Sequence, residues 1–517
     1  MTQTIKNIQK FLLSFAIITL PVTNLPRVSK FFYLDRRLSF YFLLFGILLW
    51  LYDAYKNNNA LFVKNQYKIY FFIFIFSQLI TFVLGLIYYD SWNLLLINKI
   101  YYLTLLNDFC RAHNILINSD ICIKFYVIVK FLKDILINNI FIGYLISFYI
   151  YYLFHKNWKE GFSLIKKSAM FLLYLFIVYS IIEILYFNDF VVAKNILIKI
   201  NSFLYSPLID NYWYPPMLWS TTQLRSFCTE PSFFGIFSSF CLPFVFLHLL
   251  STKVKPIYIL IYGFFIYMIF LTQSRTAIFL YAFETAFLVS FILFIRKTII
   301  KPLLIIISCS LFAFILCLIT LKISNPEFKD NQTNLLQPVN FYINKNISSI
   351  YSKKERSNPE RLALMTAHLK VGLEHPIFGV GIKMTDSYVI KKLSQNACNL
   401  PSIKEKILLA GKNIFKTDLP PLNHYINIFS SSGLSGLFIF LLPVVYIIYK
   451  IINNRYLLKN RKYICILIIV TTQMVAMLTT EAFLSFYISF GLLLCMTDNI
   501  TEKHIKNNTK HNESNIF

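Results

Sequence analysis

Residues 256–296 read PIYILIYGFFIYMIFLTQSRTAIFLYAFETAFLVSFILFIR. Two apolar runs, 256–272 and 276–296, are parted only by Gln273, Ser274 and Arg275. A hydrocarbon core of about 30 Å needs about 17–25 apolar residues to cross it, so each run is long enough to be one span. Lys253 and Lys255 precede the pair and Arg296 and Lys301 follow it, on the side opposite Arg275. This stretch is a membrane hairpin, and the same pattern recurs in both directions along the chain. Further candidate spans lie at 11–26, 38–55, 69–89, 135–154, 168–187, 233–250, 302–321, 433–452, 463–480 and 482–497. The expected fold class is therefore all-α: a polytopic integral membrane protein of about 12 transmembrane helices with one large helix-containing outer loop. The 517 residues are 57% hydrophobic and 14% charged, against roughly 45–50% and about 25% in soluble domains. Soluble, disordered, collagen-like, coiled-coil and disulfide-scaffold classes are excluded.

Charge sets the expected topology. Lys and Arg number 50 and Asp and Glu 24, a net charge of +26. In a membrane chain this marks cytoplasmic anchors and an anionic lipid or phosphate substrate rather than nucleic acid. The short connections His155–Lys167, Lys253–Lys255, Arg296–Lys301 and Lys450–Lys462, and the tail after Asp498, fall on one side if spans alternate, as the positive-inside rule requires. The connection with Arg27, Lys30, Arg36 and Arg37 breaks the pattern. The resulting division is 1–321 for nine helices with smaller outer loops, 322–432 for the large extracytoplasmic loop, 433–497 for three helices and 498–517 for a disordered cytoplasmic tail. No cleavable signal follows the first apolar run, which ends at Pro21. The nine cysteines form no C-x-x-C pair; Cys110 and Cys122 can pair only if their loop is extracytoplasmic. Inside the large loop, Asn358, Pro359 and Glu360 form a helix start, and a helix is expected from there to His375-Pro376.

Four outward-facing places combine charge with membrane proximity. Arg225 and Glu230 stand just before a span, where an unpaired charge is costly; an interfacial anchor has the same signature. Arg275 sits in a tight turn and offers a fixed fork of donors to a phosphate, unless it only snorkels. Arg361, His368, Gly372 and His375 fall on one stripe of the loop helix, opposite an apolar face with Leu362, Met365, Leu369 and Leu373; a solvated face has the same pattern. Asn423 and His424 precede Ser432-Gly433-Leu434-Ser435-Gly436 at the next span, and a lone interfacial His also serves structure. No P-loop, Rossmann or zincin motif occurs, and no carboxylate or Cys stands at metal-ligand spacing near the histidines.

Taken together, Glu230-Pro231-Ser232, Ser274-Arg275-Thr276-Ala277, Glu360-Arg361, His375-Pro376-Ile377-Phe378-Gly379-Val380-Gly381 and the Asn423–Gly436 entry resemble the O-antigen polymerase and O-antigen ligase family. Arg361 and Gly372 also match the family's Arg–ten–Gly arrangement. The sequence departs from the family at one place: Leu422 stands where many members have His, and His424 is displaced by two. The resemblance implies a bacterial inner-membrane glycosyltransferase acting on an undecaprenyl-pyrophosphate-linked glycan at the outer face, with no metal and no other cofactor. Its implied catalytic residues are Arg361, Arg275, Glu230 and His424, and its substrate-binding residues Arg225, His368, Gly372 and Asn423. Implied partners are membrane lipid, a flippase and a chain-length regulator. Glu230-Pro231-Ser232 and the size of the outer loop favour a polymerase. A ligase transferring glycan to lipid A–core or protein shares the same motifs. A non-enzymatic exporter would need an ionisable path, for which Glu183, Glu284 and Glu481 are the acids available.

Overall fold

The computed structural model describes residues 2–25, 35–57, 61–88, 108–109, 112–113, 119–205, 223–251, 253–293, 300–324, 336–344, 346, 357–381, 384–412 and 419–514. Cys110 lies outside them. The N-terminal half contains α1 (Thr2–Ile18), α2 (Leu38–Lys56), α3 (Asn65–Ile87), α4 (Ser119–Asp134), a π-helical segment (Ile135–Leu145), α5 (Ile146–Phe154), α6 (Trp158–Phe187) and α7 (Val191–Leu204). The centre contains α8 (Pro231–Leu249), α9 (Pro256–Leu271), α10 (Arg275–Phe291) and α11 (Ile300–Ser324). The long connection before the last three helices carries α12 (Leu336–Ile343), α13 (Ser357–Glu374), α14 (Thr385–Lys392), α15 (Gln395–Cys398) and α16 (Pro401–Lys412). The chain closes with α17 (His424–Asn453), α18 (Arg461–Ala476) and α19 (Leu484–Ser514).

The protein is an all-α, polytopic membrane protein, and no strand occurs among the described residues. Among the described residues, eight helical stretches are long and apolar enough to cross a membrane. The other four expected spans correspond to α1, α9, α10 and α18, of 17, 16, 17 and 16 residues. The tail expected to be disordered after 498 instead continues α19 to Ser514. Its first turn is held because Asp498 pairs with Lys64 at 2.8 Å and accepts from the hydroxyls of Tyr67, Tyr151 and Tyr446 at 2.7, 2.8 and 3.1 Å. Asn499 adds a bond to the His155 carbonyl at 2.9 Å.

Helix ends define two ends of the bundle. The Leu224 amide donates to the Leu271 carbonyl at 3.1 Å and the His424 amide to Met477 at 2.8 Å. These bonds gather the end of α9, the start of α17 and the end of α18 at one end, with the long loop. At the opposite end the Arg461 guanidinium donates to the Leu250 carbonyl at 2.8 Å. The centre is α8, whose side chains are almost all buried, whereas α11 turns Leu304, Leu311, Phe312, Ile315 and Ile319 outward. Outward apolar side chains are what a lipid solvent favours.

The crossing of α8 and α10 positions the loop end. Gly235 of α8 lies directly on Ala277 of α10, with no room for a side chain between the backbones. Small residues permit this close approach, and it sets the first turns of the two helices side by side. Gly235→Leu is expected to force them apart and to lower protein abundance, measured by membrane immunoblot.

Candidate functional site

Three candidate charges meet at the loop end. Glu230 is the N-cap residue of α8, in extended backbone, with Pro231 as first helical residue. Arg275 opens α10 behind Ser274, whose hydroxyl accepts from the Ala277 amide at 3.5 Å. Arg361 stands four residues after the start of α13 and is exposed. Desolvation raises the Glu230 carboxyl above the ordinary carboxylate range, opposed by the Ser232 hydroxyl at 3.2 Å and by Arg361. Desolvation also loosens the Arg361 proton; Glu230 tightens it and Arg275 loosens it further. Glu230, Arg275 and Arg361 therefore share one electrostatic environment, although they come from three separate parts of the chain. Two cations against one carboxylate suit a polyanion.

Backbone strain marks the same places. Among the described non-glycine residues, Asp189, Ser226, Gln273 and Leu422 have positive φ, the last three at 53°, 48° and 50°. Ser226 precedes Glu230 by four residues, and Gln273 and Leu422 each stand two before Arg275 and His424. Left-handed backbone at such residues costs about 1–3 kcal/mol and clusters at functional sites.

The four residues expected to contact substrate each make contacts within the protein. Arg225 is fully buried. Its guanidinium pairs with Glu183 at 3.7 Å, donates to the Tyr179 hydroxyl at 3.1 Å and to the Cys228 carbonyl, and lies over the Tyr205 ring at 5.2 Å. Glu183 also accepts from the Ser226 amide at 2.7 Å, so the pair holds the strained turn before Glu230. Removing one member of a buried pair costs about 3–5 kcal/mol, whereas replacing both is tolerated. Arg225→Met is expected to lower membrane abundance and thermal midpoint, and Glu183→Met with Arg225→Met to restore much of both.

His368 is also buried, with Nε2 at 2.8 Å from the Leu419 carbonyl and Nδ1 at 2.9 Å from the Ser430 hydroxyl. Burial pushes its pKa down to about 4, the Leu419 bond opposing. The neutral ring therefore donates from Nε2, since a carbonyl only accepts. Gly372 is pressed against the Phe429 ring. Asn423 caps α17, its side-chain oxygen accepting from the Ile426 amide at 3.1 Å.

The α13 faces are thus inverted from the expected amphipathic reading. Leu364, Ala367, His368 and Val371 pack inward, the apolar ones with Val380, Val389, Ile403 and Leu419, while Leu362 and Leu373 are 67% and 64% exposed. Small residues allow close packing on α17, which leaves the bulky leucines outside.

The glycine motif joins this helix to the membrane helices. α17 is broken at Gly433, whose φ of 66° and ψ of −167° are outside helical values. The freed Ser430 and Ser431 carbonyls accept from the Val380 and Gly381 amides at 3.1 and 2.9 Å, and the Leu434 and Ser435 amides donate to Pro376 and Ile377 at 2.7 and 3.2 Å. Gly379 (φ 67°) and Gly381 (φ 94°) supply the matching left-handed backbone. His375-Pro376-Ile377-Phe378-Gly379-Val380-Gly381 is therefore a backbone staple into the break.

Beneath the staple lies a cavity of about 450 Å³. His424 lines it, with its ring edge-on to Phe440 at a centroid distance of 5.2 Å. Its Nδ1 is buried without a hydrogen-bond partner. Glu481, Asp134, Asn138, Asn139 and Gln78 share the wall. Sequence reasoning passed over the last four; the signal was Asn138-Asn139 inside an otherwise apolar run, since polar groups at such depth are costly. Of the other two acids considered for an exporter, Glu183 is taken by Arg225 and Glu284 is fully buried between helices. Among the described residues, no three His, Cys, Asp or Glu side chains form a group that could hold a metal.

The family model described as O-antigen ligase matches residues 260–441. No curated protein and no solved structure matches the chain. Arg275, Arg361, the staple and His424 all fall inside the match. The match over residues 260–441 agrees with the resemblance to the O-antigen polymerase and O-antigen ligase family that the sequence motifs carry.

Proposed function

We propose that the chain polymerises undecaprenyl-pyrophosphate-linked oligosaccharide repeats at the outer face of the bacterial inner membrane. The observation that carries this reading is the convergence of Arg275 and Arg361 beside Glu230 at the loop end. An acceptor sugar hydroxyl attacks the anomeric carbon of the donor glycan. The bond from that carbon to the pyrophosphate oxygen breaks, and undecaprenyl pyrophosphate leaves with the electron pair. Arg275 and Arg361 hold the departing charge, which fixed donors stabilise better than water that must reorganise. His424, with an unpartnered Nδ1 on the cavity wall, takes the hydroxyl proton. Glu230 holds Arg361 in position and is the second candidate for the proton. The exposed leucines of α13 meet the membrane surface or the polyprenyl tail. No step requires a metal or a nucleotide. A flippase supplies the donor, and a chain-length regulator sets when extension stops.

The ligase reading is favoured by one finding, the description of the matching family model. The envelope glycan of a deletion strain separates the readings. Single-repeat caps mean polymerase, free lipid-linked polymer means ligase, and loss of all outer glycan means export.

A further inference from the structure

We infer that the N-terminal helices build a sugar-binding wall in the 450 Å³ cavity, which selects the glycan that the cation cluster transfers; this rests on the reading above. The wall comes from an unusual element. Ile135–Leu145 is a π-helical segment kinked inside at non-helical Ile142 and Gly143. π-helical turns are rare and concentrate at functional sites. Asp134, Asn138 and Asn139, at the start of this segment, all line the cavity. Asn139 donates to the Gln78 side-chain oxygen at 3.0 Å, so α3 and the π-helix present their amides as a unit. That leaves the Gln78 side-chain NH2 as donor and the Asn139 side-chain oxygen as acceptor for a guest, the pattern that a sugar hydroxyl satisfies from both sides.

The charge of the wall argues against pyrophosphate. Arg37 and Lys130 line the cavity against Asp134, Asp386 and Glu481, two cations to three carboxylates. A polyanion is repelled there, whereas a neutral, hydroxyl-rich ring is not. The volume lies within the range of about 300–1,000 Å³ usual for small-molecule sites, enough for about one or two sugar rings. His368 lines the same cavity and stands seven residues after Arg361 on one helix. Seven residues are about 10.5 Å of helix rise, a span that suits a sugar seat beside the cations of its own pyrophosphate. Gln78, Asp134, Asn138 and Asn139 precede the matched residues 260–441. Arg275, Arg361 and His424 lie within the matched residues, whereas these four wall residues come from the chain before them.

The test uses the purified full chain in lipid nanodiscs with two probes. One is the free oligosaccharide repeat released by mild acid from the source strain's lipid-linked intermediates; the other is undecaprenyl pyrophosphate without sugar. Asn138→Leu, at an exposed position of similar shape, and Gln78→Leu are each expected to weaken oligosaccharide binding roughly tenfold, the loss of one good hydrogen bond. Both should bind undecaprenyl pyrophosphate as wild type does, and Arg361→Ala should show the reverse pattern. Unchanged oligosaccharide binding in both variants overturns the inference, as does a wild type that binds no free oligosaccharide. Equal loss of both probes in Asn138→Leu also overturns it, because the wall would then serve the lipid pyrophosphate. If the transfer reading itself is wrong, wild type fails to bind undecaprenyl pyrophosphate while the Asn138-dependent oligosaccharide binding stands.

Discussion

Arg361→Ala is expected to lower polymer formation by about 10²–10³, roughly 3–4 kcal/mol, the usual loss when one preorganised donor to a developing anion is removed. Arg361→Lys should fail nearly as badly. Lys is a point charge on a flexible stem and cannot reproduce the planar two-pronged contact with phosphate oxygens. Arg361 is exposed near the start of α13, so neither change should alter membrane abundance. Lys370→Ala, on an exposed position of the same helix, is the control and should leave the polymer unchanged. The measurement is polymer length by gel together with protein level in the membrane. Full-length polymer from Arg361→Ala at normal abundance would show that Arg361 is only a solvated charge.

His424→Ala should cost about 10²–10⁴ in transfer rate, the range for losing a positioned general base. Glu230→Gln should cost less, about tenfold, if its task is to hold Arg361 rather than to take the proton. The pH profile separates the roles. Desolvation keeps Glu230 protonated to higher pH than an ordinary carboxylate. As pH falls through that raised value, Glu230 loses its charge and Arg361 its anchor, so wild-type activity should show an acid limb that Glu230→Gln removes. The same shift has the opposite sign for stability. A raised folded-state pKa favours the fold below the unfolded value, and that contribution is lost as pH rises through the folded one. If Glu230→Gln abolishes transfer while His424→Ala keeps it, the proton goes to Glu230.

Much of this architecture is legible in the sequence because the bilayer imposes a length. Apolar runs such as 256–272 announce membrane-crossing helices whatever packs around them. The loop helix at 357–374 is equally local: Asn358, Pro359 and Glu360 start it, and Pro376 with Gly379 ends it. What these signals leave open is which side of a helix meets protein. Lipid is as apolar as a protein interior, so an apolar stripe does not distinguish a buried face from a lipid-facing one. That is why α13 buries His368 and Gly372 and exposes Leu362 and Leu373. Long-range pairing is likewise invisible in one dimension. Arg225 and Arg361 read alike in sequence, yet Glu183 occupies the first inside the bundle while the second stands beside Glu230. Membrane class, helix starts and the roster of cations are local properties that one dimension carries. Which cation is paired inside the bundle and which is exposed at the loop end is settled by helix crossings such as Gly235 on Ala277 and by the Glu183–Arg225 pair, because these join residues far apart in the chain.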